Sequence, residues 1–214
     1  MDKTVLFIVG CQRSGTSMIH HLFRLDPDTV TYDEISPLSS GDDVEGLRLN
    51  PLPQVRIRLQ ADRAPLVVCK PLVESQNLDK LLGLMPRTNA IWMYRDFRDV
   101  AKSNLEYFGD RTGHTDLAPV LAGDQTNWRA ERLASADREI IRKLYRPNLA
   151  PLDAAALYWY ARNSLFFSGG YDRDPRVRTC CYGDLVTQPA KVMSAAYAFL
   201  EQDYPGDRIV ADVV

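Results

Sequence analysis

The sequence predicts an α/β fold in one domain spanning residues 1–214: a mainly parallel sheet of four or five strands flanked by helices. Two observations carry that prediction. Residues 5–9 form an apolar run of buried-strand length that breaks at Gly10, crosses a polar turn, and continues with apolar residues at Met18, Ile19, Leu22 and Phe23. That order is strand, tight turn, helix. Three later runs, residues 65–69, 89–94 and 176–182, read as further strands separated by helical patterns, the alternation that builds parallel sheets. A chain of 214 residues can bury one full core and is short for two.

The turn after the first strand is the most informative stretch. Gly10 and Gly15 let the backbone fold back so that successive N–H groups point into one concavity at the positive end of the following helix, a site suited to phosphate. Their spacing is that of the phosphate-binding pattern Gly-x4-Gly-Lys-Ser/Thr, with one departure. Thr16 stands where that pattern needs lysine, and the positive charge sits inside the loop at Arg13. A nucleoside triphosphate with Mg²⁺ needs the lysine on its outer phosphates. Arg13 instead offers a planar fork of donors to a tetrahedral oxyanion, and Ser14, Thr16 and Ser17 add hydroxyls. A ligand-free glycine turn is the plain alternative, but four polar side chains crowd a turn that two would close.

Composition narrows the partners. A formal net charge of −2 gives no global attraction to nucleic acid or to an anionic membrane, so an anion site must be local. No apolar stretch approaches the roughly 20 residues of a membrane span, and nothing at the start reads as a secretory signal. Cys11, Cys69, Cys180 and Cys181 lack metal-ligand spacing and read as free thiols of a reducing, cytoplasmic compartment. His20, His21 and His114 lack partners at ligand spacing, so no metal is expected.

The segment GCQRSGTS, residues 10–17, resembles the 5′-phosphosulfate loop of the sulfotransferases that use 3′-phosphoadenosine-5′-phosphosulfate (PAPS). The resemblance implies that Arg13, Ser14, Gly15, Thr16 and Ser17 cradle the phosphosulfate. It makes Glu34 the general base, with Asp33 one residue away as its competitor. Lys70 ends a predicted strand, where open parallel sheets bind ligands, and matches the family lysine that polarises the sulfuryl group. Glu74 is a further possible base, since some members draw it from this loop. Arg95, and Ser103 eight residues later, match the pair that holds the 3′-phosphate. Tyr182 matches a tyrosine facing the nucleotide, although Gly183 replaces an acidic residue common in the family. Members usually continue into a further basic stretch, whereas residues 203–214 contain only Arg208.

Other stretches carry weaker expectations. Residues 36–46 read as a loop, and 47–63 as an irregular helical segment interrupted at Pro51 and Pro53. A helix is expected over 78–85. Residues 109–125 have no periodicity and read as a substrate-side lid, followed by helices over 127–145 and 151–167. The aromatic stripe of the last helix is core more often than acceptor pocket. The expected activity is transfer of a sulfuryl group from PAPS to an acceptor hydroxyl or amine, without metal. A phosphate-loop kinase or NTPase, with Asp96 as a Mg²⁺ ligand, and a non-catalytic nucleotide-binding module are the alternatives.

Overall fold

The computed structural model describes residues 3–41 and 47–213. Its main sheet has five strands, β1 (Thr4–Gly10), β2 (Thr29–Tyr32), β5 (Leu66–Cys69), β6 (Thr88–Tyr94) and β7 (Val177–Cys181), all parallel in the order β2-β5-β1-β6-β7. A small antiparallel pair, β3 (Ser39–Ser40) and β4 (Arg48–Leu49), stands apart. The helices are α1 (Thr16–Arg24), α2 (Leu52–Ala61), α3 (Leu78–Leu82), α4 (Phe97–Phe108), α5 (Thr112–Ala122), α6 (Ser135–Leu144), α7 (Pro151–Ser168), α8 (Tyr182–Thr187) and α9 (Pro189–Phe199). None is long and apolar enough to cross a membrane among the described residues.

The central strand explains why its sequence is apolar without alternation. Every residue of β1 is buried, because helices cover both faces of the sheet. Val5, Phe7 and Val9 pack toward Leu117, Val120 and Leu157 of α5 and α7. Leu6 and Ile8 face the other way, toward Ile19 and Phe23 of α1 and Met193 and Tyr197 of α9. Each such side chain contributes about 1.5–3 kcal/mol on burial. Ile209 and Val210, near the end of the described chain, join the second layer.

Register fixes where the chemistry can sit. Tyr32 pairs with Cys69, Gly10 with Met93, and Tyr94 with Cys181. The residues that follow these strand ends, Asp33, Lys70, the Gly10–Gly15 turn, Arg95 and Tyr182, therefore emerge along one carboxyl edge. The crossover after β1 lies on one face and that after β6 on the other, which opens a crevice between their ends, the position where open α/β sheets bind ligands.

Four expectations need correction. Residues 109–125 are no lid: they contain α5, an eleven-residue helix held against α7. Gly113 and Pro119 depress its helix propensity, and tertiary packing overrides them. Gly113 lies so close to α7 that a Cβ there would meet the Ala155 N at 2.3 Å. The helix expected from residue 127 begins only at Ser135. Before it, the Asn127 side chain accepts from the Arg129 N–H at 3.1 Å and Arg132 adopts a left-handed φ of 60°, which breaks the helix. Pro51 and Pro53 do not interrupt a helix; they flank the first residue of α2, where a missing N–H is harmless. The loop expected over 36–46 contains β3, and its residues 42–46 lie outside the described chain.

The α5–α7 contact gives a direct test. Gly113→Ala is expected to destabilise the protein by about 1–3 kcal/mol, the usual cost of overpacking. Urea unfolding should show a lower midpoint with an unchanged slope; a midpoint equal to the parent's would refute the close helix approach.

Candidate active site

The glycine turn is built by two close approaches. Gly10 has φ 133°, and a Cβ there would meet the Met93 carbonyl oxygen at 2.4 Å. Gly15 has φ 91°, and its Cβ would meet the Tyr182 ring at 2.4 Å, so only glycine lets Tyr182 lie against the loop. Between them Arg13 sits in the left-handed region at φ 63°, a conformation that costs a non-glycine residue energy and recurs at ligand clamps. The α1 N-terminus has no side-chain cap and no acidic residue in its first turn. Ser14 Oγ is fully buried and has no hydrogen-bond partner. Open helix N–H groups, a nearby guanidinium and an orphaned hydroxyl together fit an oxyanion.

Beside the loop, Lys70 gathers the acid–base groups. Its side chain is 6% exposed, and its Nζ lies 2.9 Å from Ser17 Oγ, 3.0 Å from Asp33 Oδ1 and 3.0 Å from Glu34 Oε1. The backbone explains the meeting: Lys70 N donates to Tyr32 O at 2.9 Å, locking the ends of β2 and β5 together. The two carboxylates differ. Burial works against the charge on Asp33, but the Glu34 N–H, 2.8 Å from Asp33 Oδ1, and the Lys70 ammonium outweigh it and hold the carboxyl below its ordinary pKa. Asp33 is thereby committed as a charged partner. Glu34 lines the same cleft, and its carbonyl accepts from Ser39 Oγ at 2.5 Å. His20 lies buried near this cluster, and desolvation lowers its pKa, so it adds no second positive charge near neutrality.

Glu74 does not join them. Arg48 grips it at 2.6 Å and 3.2 Å, Asn77 donates to it at 3.0 Å, and it lines a separate pocket beside β4. Arg48 also pairs with Glu131 at 3.0 Å. This network rivets the β3–β4 pair, and through Ser39 the Glu34 loop, to the body of the protein.

The remaining predicted residues meet at the other side of the loop. The Arg95 guanidinium lies over the Tyr182 ring, 4.4 Å from its centroid. Its Nε is buried without a hydrogen-bond partner and stands 3.7 Å from Asp99, so the ion pair between them is only loosely made. Arg13 Nε donates to Ser103 Oγ at 3.1 Å, and the Arg13 guanidinium covers the Tyr107 ring at 4.4 Å. Lys70, Ser103 and Tyr182 thus each touch residues 13–17, and Arg95 reaches the turn through the Tyr182 ring.

Sequence reasoning missed three supports. Gln12 donates to Asn104 at 2.9 Å and to Asp116 at 3.2 Å, and Asp116 comes from α5, where no helix was expected. The aromatic groups on the open cleft, a space of about 650 Å³, are Tyr107, Phe108 and Trp128. The stripe at 157–166 serves instead as core and scaffold: Tyr158 is buried and Trp159 Nε1 donates to the Arg95 carbonyl at 3.1 Å.

Comparison with known proteins bears on the fold and the family. No curated protein sequence matches the chain significantly. Among solved structures, a sulfotransferase domain from the curacin biosynthetic pathway superimposes with a TM-score of 0.59 at 16% identity, covering 96% of this chain and 76% of that one. A sulfotransferase from Alicyclobacillus acidocaldarius gives 0.54 at 18% identity, covering 95% and 83%. A mouse sulfotransferase complexed with PAP gives 0.51 at 16% identity, covering 98% and 63%. These likenesses establish a shared fold. The family model described as the sulfotransferase domain matches residues 3–213, nearly the whole length, and on that match the chain belongs to the sulfotransferase domain family.

Proposed function

We propose that this protein moves a sulfuryl group from PAPS to an acceptor hydroxyl, with Glu34 as general base. One observation carries the reading: the Lys70 ammonium touches both Ser17 of the anion loop and the Glu34 carboxylate. Such a bridge supports the reading, because it would set a cation at the reacting group and a base beside it.

When bound, the donor supplies the sulfuryl group: its S–O bond to phosphate breaks as one to the acceptor oxygen forms, and the electron pair leaves on adenosine 3′,5′-bisphosphate. The loop N–H groups with Arg13, Ser14, Thr16 and Ser17 hold the phosphosulfate end. Arg95 and Ser103 hold the 3′-phosphate, and Tyr182 faces the nucleotide across Gly15. Lys70 stabilises charge on the bridging oxygen, an effect worth roughly 3–4 kcal/mol where a single such donor has been removed. Glu34 accepts the acceptor's hydroxyl proton, and Asp33 holds Lys70 in place. The acid that the kinase alternative needs as its metal ligand is already engaged. Asp96 caps α4 and takes two bonds from the Arg98 side chain, which hold its pKa at about 2.

The direct experiment compares thermal shifts with metal-free adenosine 3′,5′-bisphosphate and with ATP plus Mg²⁺, followed by transfer of labelled sulfate from PAPS. Stabilisation by the former and transfer to a hydroxyl are expected. Stabilisation by ATP with Mg²⁺ alone would sink the proposal.

Glu34→Gln should lower kcat by roughly 10²- to 10⁴-fold with nucleotide affinity nearly intact, and Asp33→Asn should cost less. Equal losses in single-turnover assays would make the base assignment wrong. Arg95→Ala should weaken adenosine 3′,5′-bisphosphate binding by about 1.5–3 kcal/mol, as titration calorimetry would read it. Unchanged affinity would remove Arg95 from the nucleotide site.

A further inference from the structure

Besides the loop and the Lys70 cluster, the cleft is lined by apolar side chains, among them Ile35, Leu47, Leu72, Phe108 and Trp128, with one further cation beside them, Arg129. This arginine is held as a fixed recognition element. Its Nε donates to Asp116 Oδ1 at 2.6 Å, its guanidinium lies over Trp128 at 4.5 Å, and its backbone N–H is fixed by Asn127. Asp116 is buried, and its other oxygen is taken by Gln12 at 3.2 Å and Thr112 at 3.4 Å. One edge of the guanidinium is thus spent on orientation. Its two terminal amino groups make no hydrogen bond among the described residues, while the side chain remains 30% exposed on the cleft.

The charge around Trp128 points the same way. Arg162 is almost fully buried at 5.0 Å from the same ring, and its hydrogen bonds go to neutral oxygens, the Trp128 carbonyl and the Gln76 amide. Two guanidinium groups thus flank the indole, and the carboxylate bonded to either is Asp116 alone among the described residues. The corner keeps an excess positive charge. A planar guanidinium with a free edge, set beside apolar side chains where charge-assisted bonds are strong, selects an oxyanion.

Taking the sulfotransferase reading as its basis, we propose that the acceptor is an amphipathic hydroxy acid. Its hydroxyl meets Glu34, its apolar body lies along Leu72, Phe108 and Trp128, and its terminal anionic group is bound by Arg129. Asp116 is then a positioning residue that turns the free edge of Arg129 toward the cleft.

The test uses para-hydroxyphenylpropanoate and omega-hydroxydecanoate, each beside its methyl ester, in two measurements. One is binding, followed by quenching of tryptophan fluorescence; the other is sulfate transfer from PAPS. The acids should be preferred over their esters by about ten- to hundredfold. Arg129→Gln should bring the acid-to-ester ratio toward one, chiefly through KM for the acids, and Arg129→Lys should restore part of the preference. A merely structural arginine would instead weaken acid and ester together and leave their ratio as it was. Absence of an acid preference in both measurements, or a preference that survives Arg129→Gln, overturns the proposal. Acid-selective binding that depends on Arg129, with no sulfate transferred to any acceptor, supports the anion site and tells against the sulfotransferase reading alone.

Discussion

A lysine ammonium removed from water at the end of β5 is the constraint on which the site depends. A buried charge is costly unless paired, and Lys70 is paired three ways, with Ser17 from α1 and with Asp33 and Glu34 from the end of β2. Those partners come from separate elements, so the ion cluster also ties the carboxyl edge of the sheet together. Two carboxylates to one ammonium leave the cluster short of positive charge. Arg13, which lines the same cleft, supplies it without joining the cluster, because its guanidinium is held by Ser103 and the Tyr107 face. The edge can therefore offer cations to an anionic donor and a carboxylate to a hydroxyl within one cleft.

The sheet makes this arrangement possible through register. Parallel strands present their carboxyl ends on one side, and the pairs Tyr32–Cys69, Gly10–Met93 and Tyr94–Cys181 set the height at which each following residue emerges. A slip of one residue in β2 would exchange Asp33 and Glu34 and turn the side chains of that strand to the opposite face. The Lys70 N–H to Tyr32 carbonyl bond guards against that slip at the place where it matters most.

The parts legible in the sequence were those whose signal is local. An apolar run followed by a glycine turn shows a strand, a loop and a helix start without knowledge of the rest, and so the loop residues and the strand-end Lys70 and Arg95 could be named. The parts that were hidden depend on distant partners. α5 contains Gly113 and Pro119 and looks like a loop until α7 is placed against it. Glu74 looks like a free loop acid until Arg48 arrives from a strand of two residues. The aromatic residues were visible, but which stripe faces the core and which the cleft follows from how α4 and α7 pack, a relation with no local mark. Asp116 stayed hidden for the same reason as its helix.

The cost of building this edge falls on the same side of the molecule as its proposed use. Arg13 is held in a strained backbone conformation, Ser14 Oγ is buried without a partner, and Arg95 Nε is buried with Asp99 too distant to bond. Each unsatisfied buried group forfeits about 1–3 kcal/mol, and a left-handed arginine adds a further increment. A chain under selection for stability alone would relieve these sites by small changes, such as glycine at position 13 or alanine at position 14. An oxyanion at the loop would satisfy Ser14 and engage Arg13, and a second at Arg95 would complete its hydrogen bonding. On the proposed reading, Arg13, Ser14 and Arg95 act as pre-organised donors to a ligand with two separated anionic ends.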